Sequence, residues 1–487
     1  MVFSSHVFLF LFLPLFLAVY YLAPERRRSL VIVAGSYLFY AWWRVDFLLL
    51  FVAVTVFNWG IGMAIARHGA RTAGAKRWML FGVAADLAVL GYFKYANFGV
   101  DSFNTLVAGF GMEPFALAQV ILPIGISFYT FESISYVVDV YRGDCKPTRS
   151  AIDFAAFVAL FPHLIAGPVF RYKDLDEQLR ARSHTVDKFA EGSLRFMQGF
   201  IKKVIIADSI APLADQGFAL ADPTTADAWL AALAYTAQLY FDFSGYSDMA
   251  IGLALMMGFR FMENFNQPYS AQSITEFWRR WHISLSNWLR DYLYVPLGGN
   301  RHGTLRTYVN LFLTMLLGGL WHGANVTFVI WGAWHGAWLA VERALGVAPV
   351  PQRFRVWRWA PTFLIVILGW VMFRATTVDG ALAIYRAMFA FDGRGLSELY
   401  AGQVRALQVW TLALAGAVIA WQGLKPYLQA RANATPPPAP VPHLVEGPAA
   451  AFAGYRPLAM ALVLPLFVLA VLKLSAQSHS PFLYFQF

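Results

Sequence analysis

The sequence predicts an all-α polytopic membrane protein, with about 11 to 13 transmembrane helices joined by re-entrant and interfacial amphipathic helices. Three observations lead there. Of 487 residues, 59% are hydrophobic and only 14% are charged. The apolar residues gather in blocks of roughly 15 to 25, about the length that crosses a bilayer as helix. Aromatic residues make up 17% of the chain, which suits belts of Trp and Tyr at the membrane surfaces.

Charge and cysteine usage narrow the class further. The formal charge of +10 is spread over short loops between apolar blocks, a pattern that orients a membrane protein and gives no reason to expect nucleic acid. The expected partner of the surface is the lipid bilayer. Cys145 is the single cysteine, so an internal disulfide framework and a cysteine-based zinc site are excluded.

Residues 7 to 23 open the chain with an apolar run that resembles a secretory signal, but Arg26, Arg27 and Arg28 follow it and no basic residue precedes it. That charge order reads as a retained first helix with its amino end outside. Basic loops at Arg26–Arg28, Arg67–Arg77, Arg142–Arg149 and Arg171–Lys188 are placed on the cytoplasmic side, and the segments 97–118 and 213–227, which lack Lys and Arg, on the external side. Between two cytoplasmic loops, the Pro-interrupted stretch Phe154–Val169 is expected to be re-entrant or a pair of short broken helices. Its His163 sits beside Pro162 and near Gly167 and Pro168, where breaking the backbone is at least as good a reading as chemistry.

Further along, Tyr240 to Asp248 places two carboxylates, Asp242 and Asp248, with the hydroxyl of Ser244 in a long apolar region. They could face a cavity, or bond across helices and hold a broken helix together. The segment 262–306 is basic and cytoplasmic, and within it Phe277–Tyr292 alternates aromatic and cationic residues, including Arg279, Arg280, His282 and Arg290. It reads as one amphipathic helix lying in the interface plane, serving either an anchoring or a site-lining role.

The chain then re-enters the membrane near Thr307. About fifteen residues of helix carry it roughly 22 Å, short of a hydrocarbon core about 30 Å thick. His322, preceded by Trp321 and flanked by Gly318, Gly319 and Gly323, is therefore expected at membrane depth, near the apex of a hairpin whose return arm is Val326–Leu345. An ionisable side chain there needs a partner, a cavity or a function. The glycines permit close helix packing or the approach of a ligand. His335 in the return arm is expected to be a packing residue. There is no phosphate-binding Gly-rich loop followed by Lys-Ser/Thr, no His-Glu-x-x-His and no Gly-x-Ser-x-Gly, so no metal site is expected. A buried neutral imidazole suits general-base work. One integral-membrane domain is expected over 1–487, with peripheral helices in 1–100, a core over about 115–345, and C-terminal helices in 359–487 interrupted by a Pro-rich loop at 432–448.

Four motifs in order carry a resemblance: Leu164-Ile165-Ala166-Gly167-Pro168, Phe241-Asp242-Phe243-Ser244-Gly245-Tyr246-Ser247-Asp248, Trp278-Arg279-Arg280-Trp281-His282-Ile283-Ser284 and Trp321-His322-Gly323. With them the chain resembles the membrane-bound O-acyltransferase family over nearly its whole length, and is most similar to the bacterial inner-membrane members that O-acetylate alginate. The resemblance implies that family's fold and an O-acetyltransferase of the multi-pass inner membrane. It implies acetyl-CoA as donor substrate, with no bound cofactor, and periplasmic alginate acetyltransferase proteins as partners. The family's histidine falls on His322, which is expected to act as general base, with His282 as accessory. Arg279, Arg280, Arg290, Asp242, Ser244, Asp248, Trp321 and Asn325 are the candidates for binding CoA or acceptor. Transfer could be direct or through an acetyl-histidine, to a partner's serine or to a sugar. The alternatives are O-acetylation of another surface polymer, a proton- or ion-coupled transporter, for which no internal repeat is found, or a scaffold that only recruits periplasmic enzymes.

Overall fold

The computed structural model describes residues 1–347, 354–432 and 456–476. All regular elements among them are helical, and the chain divides into two compact units, residues 1–193 with 252–261 and residues 194–251 with 262–487. The Pro-rich loop, beyond its first residue, lies outside the described residues.

In the first unit a π-helical turn over Phe8–Phe12 leads into α1 (Leu13–Leu22), α2 (Arg28–Ala41), α3 (Val45–His68) and α4 (Ala73–Ala108). The apolar helix α3 ends at Gly69, whose φ of 81° glycine adopts without the Cβ penalty, and α4 starts on Thr72, whose hydroxyl accepts the Ala75 N–H at 3.2 Å. Both are long and apolar enough to cross a membrane. At 1.5 Å per residue α4 is about 54 Å long, well over a bilayer core of roughly 30 Å. The segment 97–118, expected on the external side, is helical through Ala108. Polar side chains do not end a helix that water can surround, and Asn104 ties its exposed end to the Phe115 backbone through two hydrogen bonds of 2.7 and 2.9 Å.

The next helix, α5 (Ile126–Arg142), is almost wholly buried. The stretch 154–169 consists of two short helices, with α6 (Ala151–Ala159) and α7 (Phe161–Leu164) separated at Leu160 and Pro162 in the first turn of the second. The Phe161 N–H freed by that break is accepted by the buried Ser36 hydroxyl at 3.1 Å. His163 Nδ1 lies 2.7 Å from a Glu132 carboxylate oxygen, with neither side chain exposed. His163 thus sets the broken helix against a buried carboxylate of α5. Two further helices follow, α8 (Tyr172–Arg180) and α9 (Val186–Ile201).

In the second unit a π-helical segment, Lys202–Ala207, precedes α10 (Asp208–Phe218), α11 (Thr225–Met256), α12 (Ile274–Arg280) and α13 (Ile283–Leu289). Then come α14 (Gly303–His322), α15 (Val326–Ala344), α16 (Val356–Arg374), α17 (Val378–Met388), the single turn α18 (Glu398–Ala401), α19 (Ala406–Ala432) and α20 (Arg456–Ala476). By length and composition α16, α19 and α20 qualify as spans, making five among the described residues. Others, such as α11 and α14, carry polar groups through their middles.

The segment 277–292 is not one interfacial helix. It is two short helices that meet at His282, followed by a π-helical turn over Arg290–Tyr294. Phe277, Trp278, Trp281 and Trp288 are buried, whereas Arg279 is exposed. The alternation of aromatic and cationic residues separates a protein core from an outer face, and a helix on a lipid surface would show the same pattern.

Candidate active site

The hairpin of α14 and α15 closes through glycines. A methyl group on Gly319 would strike the Phe328 carbonyl, and one on Gly332 would strike the Met315 carbonyl, both main-chain atoms with nowhere to go. The backbones touch there because no side chain intervenes. His322 is the last residue of α14, after which Gly323 turns out in extended conformation; a Cβ there would collide with the Phe328 ring that closes over the turn. Asn325 starts α15: its carboxamide oxygen accepts the Thr327 N–H at 3.0 Å and its nitrogen donates to the Thr376 carbonyl at 2.9 Å. Both ends of the reversal around His322 are thereby fixed.

Three aromatic rings enclose the His322 imidazole. Trp321, Trp331 and Phe373 have ring centroids at 4.9, 5.1 and 5.2 Å from it, all edge-on. His322 is 8% exposed and Trp321 4%, so the ring is walled off yet not sealed. Trp331 also packs on His335 at 5.0 Å, and the His335 Nδ1 accepts from the Trp278 indole at 3.4 Å. His335 is fully buried and supports the cage, the packing role expected of it.

His282 also approaches Trp321, with ring centroids 6.4 Å apart. Its backbone is left-handed, φ 44° and ψ 54°, a conformation that strains a residue with a Cβ and is held only by its surroundings. Asn264 supplies the hold. Its main-chain carbonyl accepts the Ile283 N–H at 3.0 Å, while its side-chain oxygen accepts the Ser284 hydroxyl at 2.8 Å and faces His282 Nδ1 at 3.1 Å. The Asn264 amide in turn donates to the Ser247 hydroxyl of α11 at 3.2 Å. With Nδ1–H donating to Asn264, the Nε2 lone pair is left available. Burial pulls the His282 pKa down to about 3, so the ring is neutral.

The other predicted site residues differ in their partners. Asp242 and Asp248 are ion-paired. The π-helical segment presents Lys203 to Asp242 at 2.6 Å and to Asp208 at 2.7 Å, and Lys202 to Asp248 at 2.6 Å. Arg195 joins Asp248 at 2.7 Å and Glu263 at 2.6 Å. Consecutive lysines project in different directions around a helix, which is how neighbours reach carboxylates on two levels of α11. Ser244 is buried between them. Arg280 forms a pair with buried Glu276 at 2.7 Å and Arg290 one with Asp291 at 2.7 Å, whereas no carboxylate pairs with Arg279 among the described residues.

Sequence reasoning missed Asn264, Trp331 and Phe373, and had Trp278 only as part of a motif. The hairpin could have pointed to Trp331, since a three-residue turn brings the start of α15 back against the end of α14. Nothing local marks Asn264 as the residue that holds His282.

An all-helical membrane protein whose histidine-bearing helical hairpin is held in an aromatic cage is the class that these observations define. The chain belongs to the membrane-bound O-acyltransferase family, whose model matches residues 146–384, and it is an O-acetyltransferase. It is 64% identical over 488 residues, 100% of both chains, to the probable alginate O-acetylase AlgI of Pseudomonas putida. Over 520 residues, again 100% of both, it is 62% identical to the protein of that name from Pseudomonas aeruginosa. The peptidoglycan O-acetyltransferase of Helicobacter pylori is 38% identical over 436 residues, 82% of each chain.

Proposed function

We propose that this O-acetyltransferase takes acetyl groups from cytoplasmic acetyl-CoA and passes them across the bacterial inner membrane for O-acetylation of alginate, with periplasmic acetyltransferase proteins as partners. The observation that carries the reading is His322, held at the end of α14 by three edge-on aromatic rings. His322 acts as general base. Its imidazole takes the proton of the acceptor hydroxyl as that oxygen attacks the thioester carbonyl, and the adduct collapses with cleavage of the C–S bond. The CoA thiolate then receives the proton from the imidazolium. The donor is already activated, so positioning and exclusion of water are the main tasks left to the protein.

His282, neutral and held by Asn264, acts as the accessory residue, accepting a hydrogen bond at Nε2. Exposed Arg279 meets CoA phosphate; Arg280 and Arg290, engaged by Glu276 and Asp291, contribute charge more weakly. Acetyl-CoA is consumed as substrate, and no bound cofactor is required. Alginate is favoured by the names of relatives 62% and 64% identical over the full chain. The relative named for peptidoglycan makes another polymer the alternative. A transporter reading loses support because Asp242 and Asp248, its natural ion sites, are both paired with cations.

The test uses purified protein in proteoliposomes with labelled acetyl-CoA, each partner protein added in turn, and alginate or peptidoglycan as final acceptor. His322→Ala, shown to be folded, is expected to lose transfer. Wild-type transfer by that variant sinks the catalytic reading, and label reaching peptidoglycan but not alginate redirects the substrate.

A further inference from the structure

A groove of about 470 Å³ runs along the second unit between α11, α16 and α19, away from the His322 cage. Leu233, Trp359, Phe363, Leu412 and Ile419 give it almost wholly apolar walls. Its shape comes from the divergence of α19 from the 268–270 turn. At Gly423 a Cβ would lie 2.9 Å from Ser270, so the backbones are in close contact; at Gly416 a Cβ would meet nothing within 4 Å. From Leu412 to Leu424 the helix rises about 18 Å, the length of an extended fatty-acyl chain.

The end of the groove at Gly423 is basic. Gln272, two residues beyond Ser270, accepts the backbone N–H of Arg355 at 2.6 Å, and the Trp359 indole donates to the Tyr269 carbonyl at 2.8 Å. These bonds place the start of α16 at the same end as Gly423. Arg355 and Lys425, the latter following Leu424, are both exposed there, with Arg358 one turn inside α16. An apolar cleft between two helices suited to span a bilayer is filled in a membrane by hydrocarbon, and cations at its mouth select the headgroup.

We infer that this groove binds one anionic glycerophospholipid of the surrounding leaflet, its acyl chain along α19 and its phosphate at Arg355 and Lys425. Tyr269 and Phe363, which line the groove, connect it to the cage. Tyr269 stacks 5.9 Å from Trp281, which lies 4.9 Å from Trp370, itself stacked on Trp331. The lipid therefore backs the wall of aromatic rings behind His322. The inference does not depend on the acyl-transfer reading, because its readout is lipid retention.

Native mass spectrometry of the full-length protein, released from nanodiscs of equimolar phosphatidylglycerol and phosphatidylcholine, provides the test. Wild type is expected to retain one phosphatidylglycerol in preference to phosphatidylcholine by about tenfold. Gly416→Leu, which fills open space without a backbone clash, should lose the retained lipid while keeping wild-type helicity and elution. Arg355→Gln with Lys425→Gln should keep a lipid but lose the headgroup preference. Equal retention of both lipids by wild type, or undiminished phosphatidylglycerol in Gly416→Leu, overturns the inference.

Discussion

The Trp331 indole meets the His322 imidazole at right angles, planes 90° apart and centroids separated by 5.1 Å, and the same indole packs on His335 on its own helix. One residue of α15 thus sets the orientation of the ring at the end of α14. Trp331→Phe keeps an apolar ring but loses part of the wall, and should lower acetyl transfer by one to two orders of magnitude with a much smaller change in the KM for acetyl-CoA, about what a misplacement near 1 Å brings. Steady-state kinetics of folded protein checks this; an equal rise in KM with unchanged kcat would assign Trp331 to binding instead.

Gly332→Val should damage the hairpin. The new side chain meets the Met315 main chain, which cannot rotate away, and overpacking of this kind is worth about 1–3 kcal/mol or more. Thermal unfolding in detergent should show a clear fall in Tm. Gly91→Ala, in open space on α4, should show none.

Removing one carboxylate from the ionic cluster on α11 takes a partner away from cations that are largely buried. Asp248→Asn leaves Lys202 without its carboxylate and Arg195 with Glu263 alone, and should destabilise the fold by up to about 3 kcal/mol. Arg394→Gln, at an exposed pair with Asp392, should leave the melting temperature unchanged within error. Comparable Tm values for the two variants would mean that the cluster is hydrated and contributes little.

The neutral His282 makes stability fall in acid. Its pKa is about 3 in the fold and near 6.5 when unfolded, so below pH 6.5 the unfolded chain binds more protons at this position. The stabilisation is full above pH 6.5 and diminishes as the pH falls toward 3, by about 1.4 kcal/mol per unit. Melting temperatures between pH 7 and pH 5 should fall less steeply for His282→Gln than for wild type. Parallel pH profiles for the two proteins would show that the ring is already hydrated.

The legible parts of this protein are those written in local pattern. Apolar block length gave helices, and loop charge with the short run from Thr307 made a hairpin with His322 at its turn. The resemblance to the acyltransferase family rests on short contiguous motifs. Non-local geometry was not legible. The pattern of Phe277–Tyr292 is the same for a helix on lipid and for a strap buried in protein, because both place aromatics on one side and arginines on the other.

By itself, the sequence determined an all-helical membrane protein with a histidine set among glycines, because hydrophobic length, charge placement and residue size act over a few neighbours. Only the tertiary structure decided what those groups meet. It put Trp331 and Phe373 around His322 and bent the chain at His282 against Asn264, eighteen residues earlier in the sequence. It also paired Asp242 and Asp248 with cations from the π-helical segment and α9. The physical reason is that a buried charge or a left-handed backbone is tolerable only with partners in place, and partners distant in sequence come together only when helices pack.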